Sequence, residues 1–145
     1  MRGTATRDVF HLKNLVNLKI LDISYTYVRD ISDLRRLTNL EFFYLRNTQV
    51  YNIEIISNFK NLIEIDLAET RVKIISSMRF LFNLLSVDIS GTQVVDIESL
   101  KNLSKLRALD VRGLMLNNID YYINTRKVKL IGYKFSDVRE FRDDF

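Results

Sequence analysis

At 145 residues and 17.2 kDa the chain is one domain's worth of length. With 47% hydrophobic and 28% charged residues it is too apolar to be disordered and too evenly charged to be a membrane protein. The absence of cysteine excludes disulfides, thiolate metal sites, iron–sulfur clusters and a cysteine nucleophile, and a formal charge of +4, from 22 basic and 18 acidic residues with no basic run of five, gives no motive for nucleic-acid binding.

Taken from its start, the chain shows no apolar core of a secretory signal after Met1, and no apolar run approaches the roughly 18 to 20 residues that span a bilayer. The sequence therefore favours a cytoplasmic protein with no membrane association. Gly3, Thr4, Asp8, Val9 and Leu12 recur in register as Gly91, Thr92, Asp96, Ile97 and Leu100, so residues 1–11 read as a partial leading repeat that begins just after a strand position. Two expectations follow. Either an upstream segment of the solenoid is missing, or the first strand, near Ile20 to Ser24, is an open edge through which copies pair as a homo-oligomer.

Five full repeats come next, at 12–33, 34–55, 56–77, 78–99 and 100–121, and residues 122–145 form a degenerate capping repeat. The period is 22 residues. Leu12, Leu34, Ile56, Met78, Leu100 and Tyr122 form one apolar column, and Leu15, Leu37, Phe59, Leu81 and Leu103 a second. Leu18 to Val128, Leu21 to Ile131, Ile23 to Tyr133, Val28 to Val138 and Ile31 to Phe141 give five more, and across all seven only Thr125 is not apolar. A period in this range decides the architecture, since one such unit buries its apolar face only against copies of itself.

Within each unit, segments such as Ile20-Leu21-Asp22-Ile23-Ser24 alternate, which predicts a short strand with two side chains inward and three outward. The preceding L-x-x-L-x-x-L arm has a period of three, which suits a 3₁₀ or extended connection. The strand of the last unit is expected around Leu130 to Lys134, where Lys127, Lys129 and Lys134 would protect a final edge.

Written once, the pattern is L-x-x-L-x-x-L-x-x-L-x-I-x-x-T-x-V-x-x-I. It resembles the leucine-rich repeat, in the short 22-residue class of bacterial internalin-type and eukaryotic phosphatase-regulator-type proteins. The resemblance implies an α/β-type repeat solenoid: a right-handed superhelix with a short-stranded parallel β-sheet on its concave face and 3₁₀ or extended convex arms. Where many members of the family place Asn, this chain has Thr26, Thr48, Thr70 and Thr92. Threonine offers fewer bonds, but its hydroxyl can satisfy turn carbonyls while its methyl packs inward. Neighbouring coils bracing every turn also explain how a chain with no proline and four glycines bends at all.

The resemblance implies a protein-binding module, and the columns locate its candidate surface. Between the inward strand positions lie Asp22, Tyr44, Asp66, Asp88 and Asp110, flanked by Phe42 on one side and by Arg46 and Arg112 on the other. Carboxylates on strands about 4.8 Å apart repel one another; Arg46 and Arg112, near the ends of the column, are expected to neutralise part of it, and a basic group of a partner would relieve the rest. Solvation of the column and binding of a divalent cation by Asp66, Asp88 and Asp110 are the other readings, and the ligands' collinearity counts against the cation.

Tyr25 and Tyr27, beside Phe42 and Tyr44, either join this surface or cover the open edge. Phe80 and Phe82 stand where other repeats are mostly polar and form a candidate convex contact, unless they wrap onto the core. Nothing points to catalysis or a cofactor. The only histidine, His11, has no nucleophile or carboxylate at a meaningful spacing, and there is no phosphate loop, metal-binding helix motif or nucleophile elbow. The alternatives to partner binding are self-assembly through the N-terminal edge and, by analogy with the family, regulation of an enzyme as its subunit.

Overall fold

The alternating segments form strands of three residues each, β1 (Ile20–Asp22), β2 (Phe42–Tyr44), β3 (Glu64–Asp66), β4 (Ser86–Asp88), β5 (Ala108–Asp110) and β6 (Lys129–Ile131). They pair in chain order into one parallel six-stranded sheet in a computed structural model that describes residues 2–117, 119–125 and 128–132. From β1 to β5 the register keeps the period of the sequence, Leu21 beside Phe43, Phe43 beside Ile65, Ile65 beside Val87 and Val87 beside Leu109. The strands β1 to β5 are each reached through a short 3₁₀ arm, at Phe10–Leu12, Ser32–Arg36, Glu54–Asn58, Ser76–Met78 and Glu98–Leu100. This is the leucine-rich-repeat architecture that the pattern implied.

The apolar columns fill the space between sheet and arms as one continuous core, with Phe43 and Phe59 meeting edge to face at 5.9 Å. The columns fail only near the ends. Leu15 is exposed and Leu18 half-buried in the first coil, and Leu114 and Leu116 are half-buried in the fifth. Ahead of the first coil, the leading segment lies along the exit of β1. The Gly3 amide donates to the Ser24 carbonyl at 2.9 Å and the Tyr27 amide to the Thr6 carbonyl at 2.9 Å, while no strand among the described residues pairs with β1 on that side.

Four side-chain and backbone devices, each repeated coil by coil, make the bends. The hydroxyls of Thr26, Thr48, Thr70 and Thr92 donate to the carbonyls of Ile23, Leu45, Leu67 and Ile89 at 2.6 to 2.8 Å, closing the turn after each strand. One residue earlier, Tyr25, Asn47 and Glu69 take a positive φ of 52–58°, a role that passes to Gly91 and Gly113 in later coils. Asp30, Asn52 and Asp96 accept the amides of Ser32, Glu54 and Glu98, opening the 3₁₀ arms. On the convex side the amides of Asn39, Asn61 and Asn83 donate to the carbonyls of Val16, Thr38 and Lys60 one coil back, at 2.9 to 3.2 Å.

The sixth unit departs from expectation in two ways. Its arm is an α-helix, α1 (Asp120–Thr125), and not a 3₁₀ or extended segment. Tyr122 fills the leucine column there, with its hydroxyl donating to the Ile97 carbonyl at 3.2 Å. Its strand enters one residue early: Leu130, not Ile131, lies beside Leu109, and the strand ends at Ile131 where a range to Lys134 was expected. Gly132 turns the chain through φ 79° directly after Ile131. Lys129 is exposed on this strand, whereas Lys127, Lys134, Tyr133, Ser136, Val138 and Phe141 lie outside the described residues.

Candidate functional site

Alternation turns the middle residue of every strand inward and leaves the first and third on the outer sheet face. That face carries Ile20, 58% exposed at the edge strand, then Phe42, Glu64, Ser86 and Ala108, all half-buried. The second row is Asp22, Tyr44, Asp66, Asp88 and Asp110, of which Asp110 is buried and the others half-buried. The third row is not the open surface that the sequence suggests. Ser24, Ala68 and Ser90 are buried, because the chain is already turning back under the threonine bonds at that point.

Each aspartate of the column has a fixed structural task. One oxygen of Asp22, Asp66 and Asp88 accepts the backbone amide two residues on, from Ser24, Ala68 and Ser90, all at 2.9 Å, and Asp110 accepts that of Arg112 at 3.1 Å. The Ser90 hydroxyl adds a second bond to Asp88 at 2.6 Å. Placing carboxylates side by side therefore secures the strand-exit turns.

Part of the repulsion between them is relieved from inside the chain, by Arg46 and Arg112. Arg46 reaches from β2 across the sheet. Its Nε donates to the second oxygen of Asp66 at 2.9 Å, its Nη2 to Asp88 on β4, and its Nη1 lies 3.8 Å from Glu69. Arg112 closes the far end, with Nη2 2.7 Å from Asp110 and Nε 3.0 Å from both of its oxygens.

These pairs occupy the carboxylate oxygens that a cation would need. No group of three His, Asp or Glu side chains among the described residues could hold a metal ion.

Burial sets the electrostatic balance. It pushes the Asp66 carboxyl above its ordinary value, a rise that the Ala68 amide and the Arg46 guanidinium do not fully reverse, and to which the neighbouring Asp88 charge adds. Burial would lower the Arg46 guanidinium, but the charges of Asp66 and Asp88 outweigh it and hold it above its ordinary range. Tyr44 is pushed up as well, first by burial and then by the negative charge of Glu64, so its phenol stays protonated and polar.

The remaining candidates are dispersed. Tyr25 and Tyr27 leave the sheet face for its exit edge, where the guanidinium of Arg2 lies 5.3 Å from the first ring and that of Arg7 5.9 Å from the second. Phe80 and Phe82 do not wrap onto the core. They are exposed on the convex side, edge to face at 6.1 Å, with the Lys60 ammonium 5.9 Å from Phe80. Glu69, 22 residues beyond Asn47 on the strand exit, joins the network: its carboxylate accepts from the Asn47 amide at 3.1 Å and lies 3.8 Å from Arg46.

No protein-family profile matches the sequence, and no curated protein does. Solved structures do. An internalin of Listeria monocytogenes (inlF) superposes with a TM-score of 0.83 at 27% identity, over 88% of this chain and 38% of that one. Internalin C2 of the same bacterium gives 0.84 at 22% identity, over 90% of this chain and 59% of that one. A leucine-rich-repeat protein of Leptospira interrogans gives 0.70 at 14% identity, over 85% of this chain and 39% of that one. The chain thus spans less than two thirds of the length of each. The period of the sequence, the six parallel strands and these likenesses together identify a leucine-rich-repeat protein.

Proposed function

We propose that the chain is a non-catalytic protein-binding module whose contact surface is the outer face of the sheet. One observation carries the reading: Ile20, Phe42 and Tyr44 form an apolar, aromatic end on an otherwise polar sheet, beside a charge network that Arg46 and Arg112 already neutralise in part. Aromatic residues next to arginine are the usual anchors of protein interfaces. Arg46, Asp66, Asp88, Asp110 and Arg112 are satisfied by one another and by the backbone, so they serve as a rigid floor that presents hydrogen-bonding edges. Phe42 and Tyr44 supply the contact. Regulation of an enzyme would use the same face.

A photo-crosslinking amino acid placed at Ser86 on the sheet, or at Asn58 on the convex side as control, tests this in cells producing the chain. The expected outcome is a discrete crosslinked protein from Ser86 only, with a yield that falls when Phe42 and Tyr44 are both replaced by Ala. A crosslinked partner from Asn58 alone, or a yield at Ser86 indifferent to the double replacement, would reject the sheet face.

A further inference from the structure

Three devices of the repeat lapse together at one junction, between the coils that carry β3 and β4. The position that opens each 3₁₀ arm is Asp8, Asp30, Asn52 or Asp96, and each accepts the amide two residues on. In the coil between Asn52 and Asp96 that position is Ile74, which cannot accept and stands 72% exposed. The arm it opens, Ser76–Met78, has no acidic residue in its first turn, where neighbouring arms have Asp33, Glu54 or Glu98.

The third lapse is at Ser77. Its hydroxyl is buried without a hydrogen-bond partner, whereas Ser99, its equivalent one coil later, donates to the Ile75 carbonyl at 3.1 Å. A chain that follows its own local rules elsewhere and breaks several at one place marks that place as selected for something other than stability.

At this junction lies a groove of about 410 Å³, lined by Tyr51 and Glu54 from one coil and Arg71, Lys73, Ile74 and Ser77 from the next. Tyr51 is 54% exposed and is held upright by the Arg29 guanidinium, 5.3 Å from its ring centre. Neither Arg71 nor Lys73 is ion-paired with a described residue. Against them the groove has a single acid, Glu54, so an exposed isoleucine and tyrosine lie beside two uncommitted cations. This combination is complementary to a peptide that carries an apolar side chain next to carboxylates.

We propose that this groove, on the strand-exit flank and apart from the sheet face, docks an acidic segment of a protein partner. An apolar side chain of the segment rests on Ile74 and Tyr51, and its carboxylates meet Arg71 and Lys73. The test pans a displayed library of short random peptides against the intact chain. Enriched peptides are expected to pair Asp or Glu with Leu, Ile or Phe, and to lose about tenfold or more in affinity to Ile74→Asp and to Lys73→Glu, but nothing to Phe42→Ala.

Ile74→Asp restores the residue that other coils carry, so its thermal midpoint is expected at or above that of the parent. No enrichment, enriched peptides without acids, or peptides that bind Ile74→Asp as well as the parent would each overturn the proposal. So would self-association of the parent in sedimentation that Ile74→Asp abolishes, since the occupant would then be a second copy of the chain.

Discussion

Arg46 shows what one residue does when identical positions are stacked. Four aspartates recur because each secures an amide at its own strand exit, and the penalty of their proximity falls on whichever residue can reach several at once. Arg46 does so with three donors in a rigid fork, which a lysine could not match. The balance still leaves Asp66 disfavoured as an anion, since burial raises its carboxyl above the ordinary value of 3.8. The folded chain therefore binds that proton more tightly than the unfolded chain does. The contribution of Asp66 to stability is full below the unfolded value and is lost as pH rises through the folded one. Asp66→Asn keeps the acceptor for the Ala68 amide and removes the titration. Its thermal midpoint is expected to fall less than the parent's as pH rises from about 3 to 6; parallel curves in calorimetry would show that Asp66 is not the group responsible. The column was legible in the sequence because it repeats. Its partial neutralisation by Arg46 and Arg112 was legible as well, but the reach of Arg46 to Asp88 was not, since it follows a side-chain path across two strands, and spacing specifies the strand but not the rotamer.

Among the elements, those built from repeated columns were legible and the one that departs from them was not. The strands and 3₁₀ arms follow directly from alternation and from the period of three, and the threonine turns from their recurrence. The asparagine ladder was visible too, as Asn-Leu at 17–18, 39–40, 61–62 and 83–84, but a polar residue on a convex arm carries no sign of which carbonyl it meets. Helix α1 escaped because Tyr122 satisfies the leucine column whether its arm is helical or 3₁₀, and the early strand because Leu130 and Ile131 are both apolar. The two ladders differ in weight. Thr70 is buried and donates to the Leu67 carbonyl at 2.6 Å, whereas Asn61 is exposed. Thr70→Val keeps the shape and leaves that carbonyl only the Thr70 backbone amide at 3.3 Å, for an expected loss of about 1 kcal/mol, while Asn61→Ala exchanges its bond for water and costs about 0.5 kcal/mol or less. Urea unfolding of both variants checks the order; an Asn61→Ala loss equal to that of Thr70→Val would mean that the convex ladder, not the threonine turn, braces the coil.

The molecule as a whole is a row of coils that touch only their neighbours, so its stability is a sum of coil and interface contributions and not a property of one centre. Central coils have a neighbour on each side. The first has only the leading segment against the exit of β1, with Leu15 exposed, and the last meets the sheet in a shifted register. Opening from either end therefore costs fewer interfaces than opening the middle, and hydrogen exchange should report a gradient along the sheet. The Leu45 amide, bonded to Asp66 at 2.8 Å, and the Leu67 amide, bonded to Asp88 at 2.8 Å, are expected to exchange slowest. The Ile23 and Val111 amides, bonded at 3.0 Å to Tyr44 and Ile131, should exchange about tenfold faster or more. Phe59→Ala removes the ring that meets Phe43 at the centre. At about 3 to 5 kcal/mol it should bring the middle amides down to the rate of the ends. Leu12→Ala, in the first coil, should loosen β1 and leave β3 and β4 protected. Equal protection throughout the parent, or an equal response to the two substitutions, would mean that the coils unfold as one unit and that the end interfaces are as strong as those in the middle.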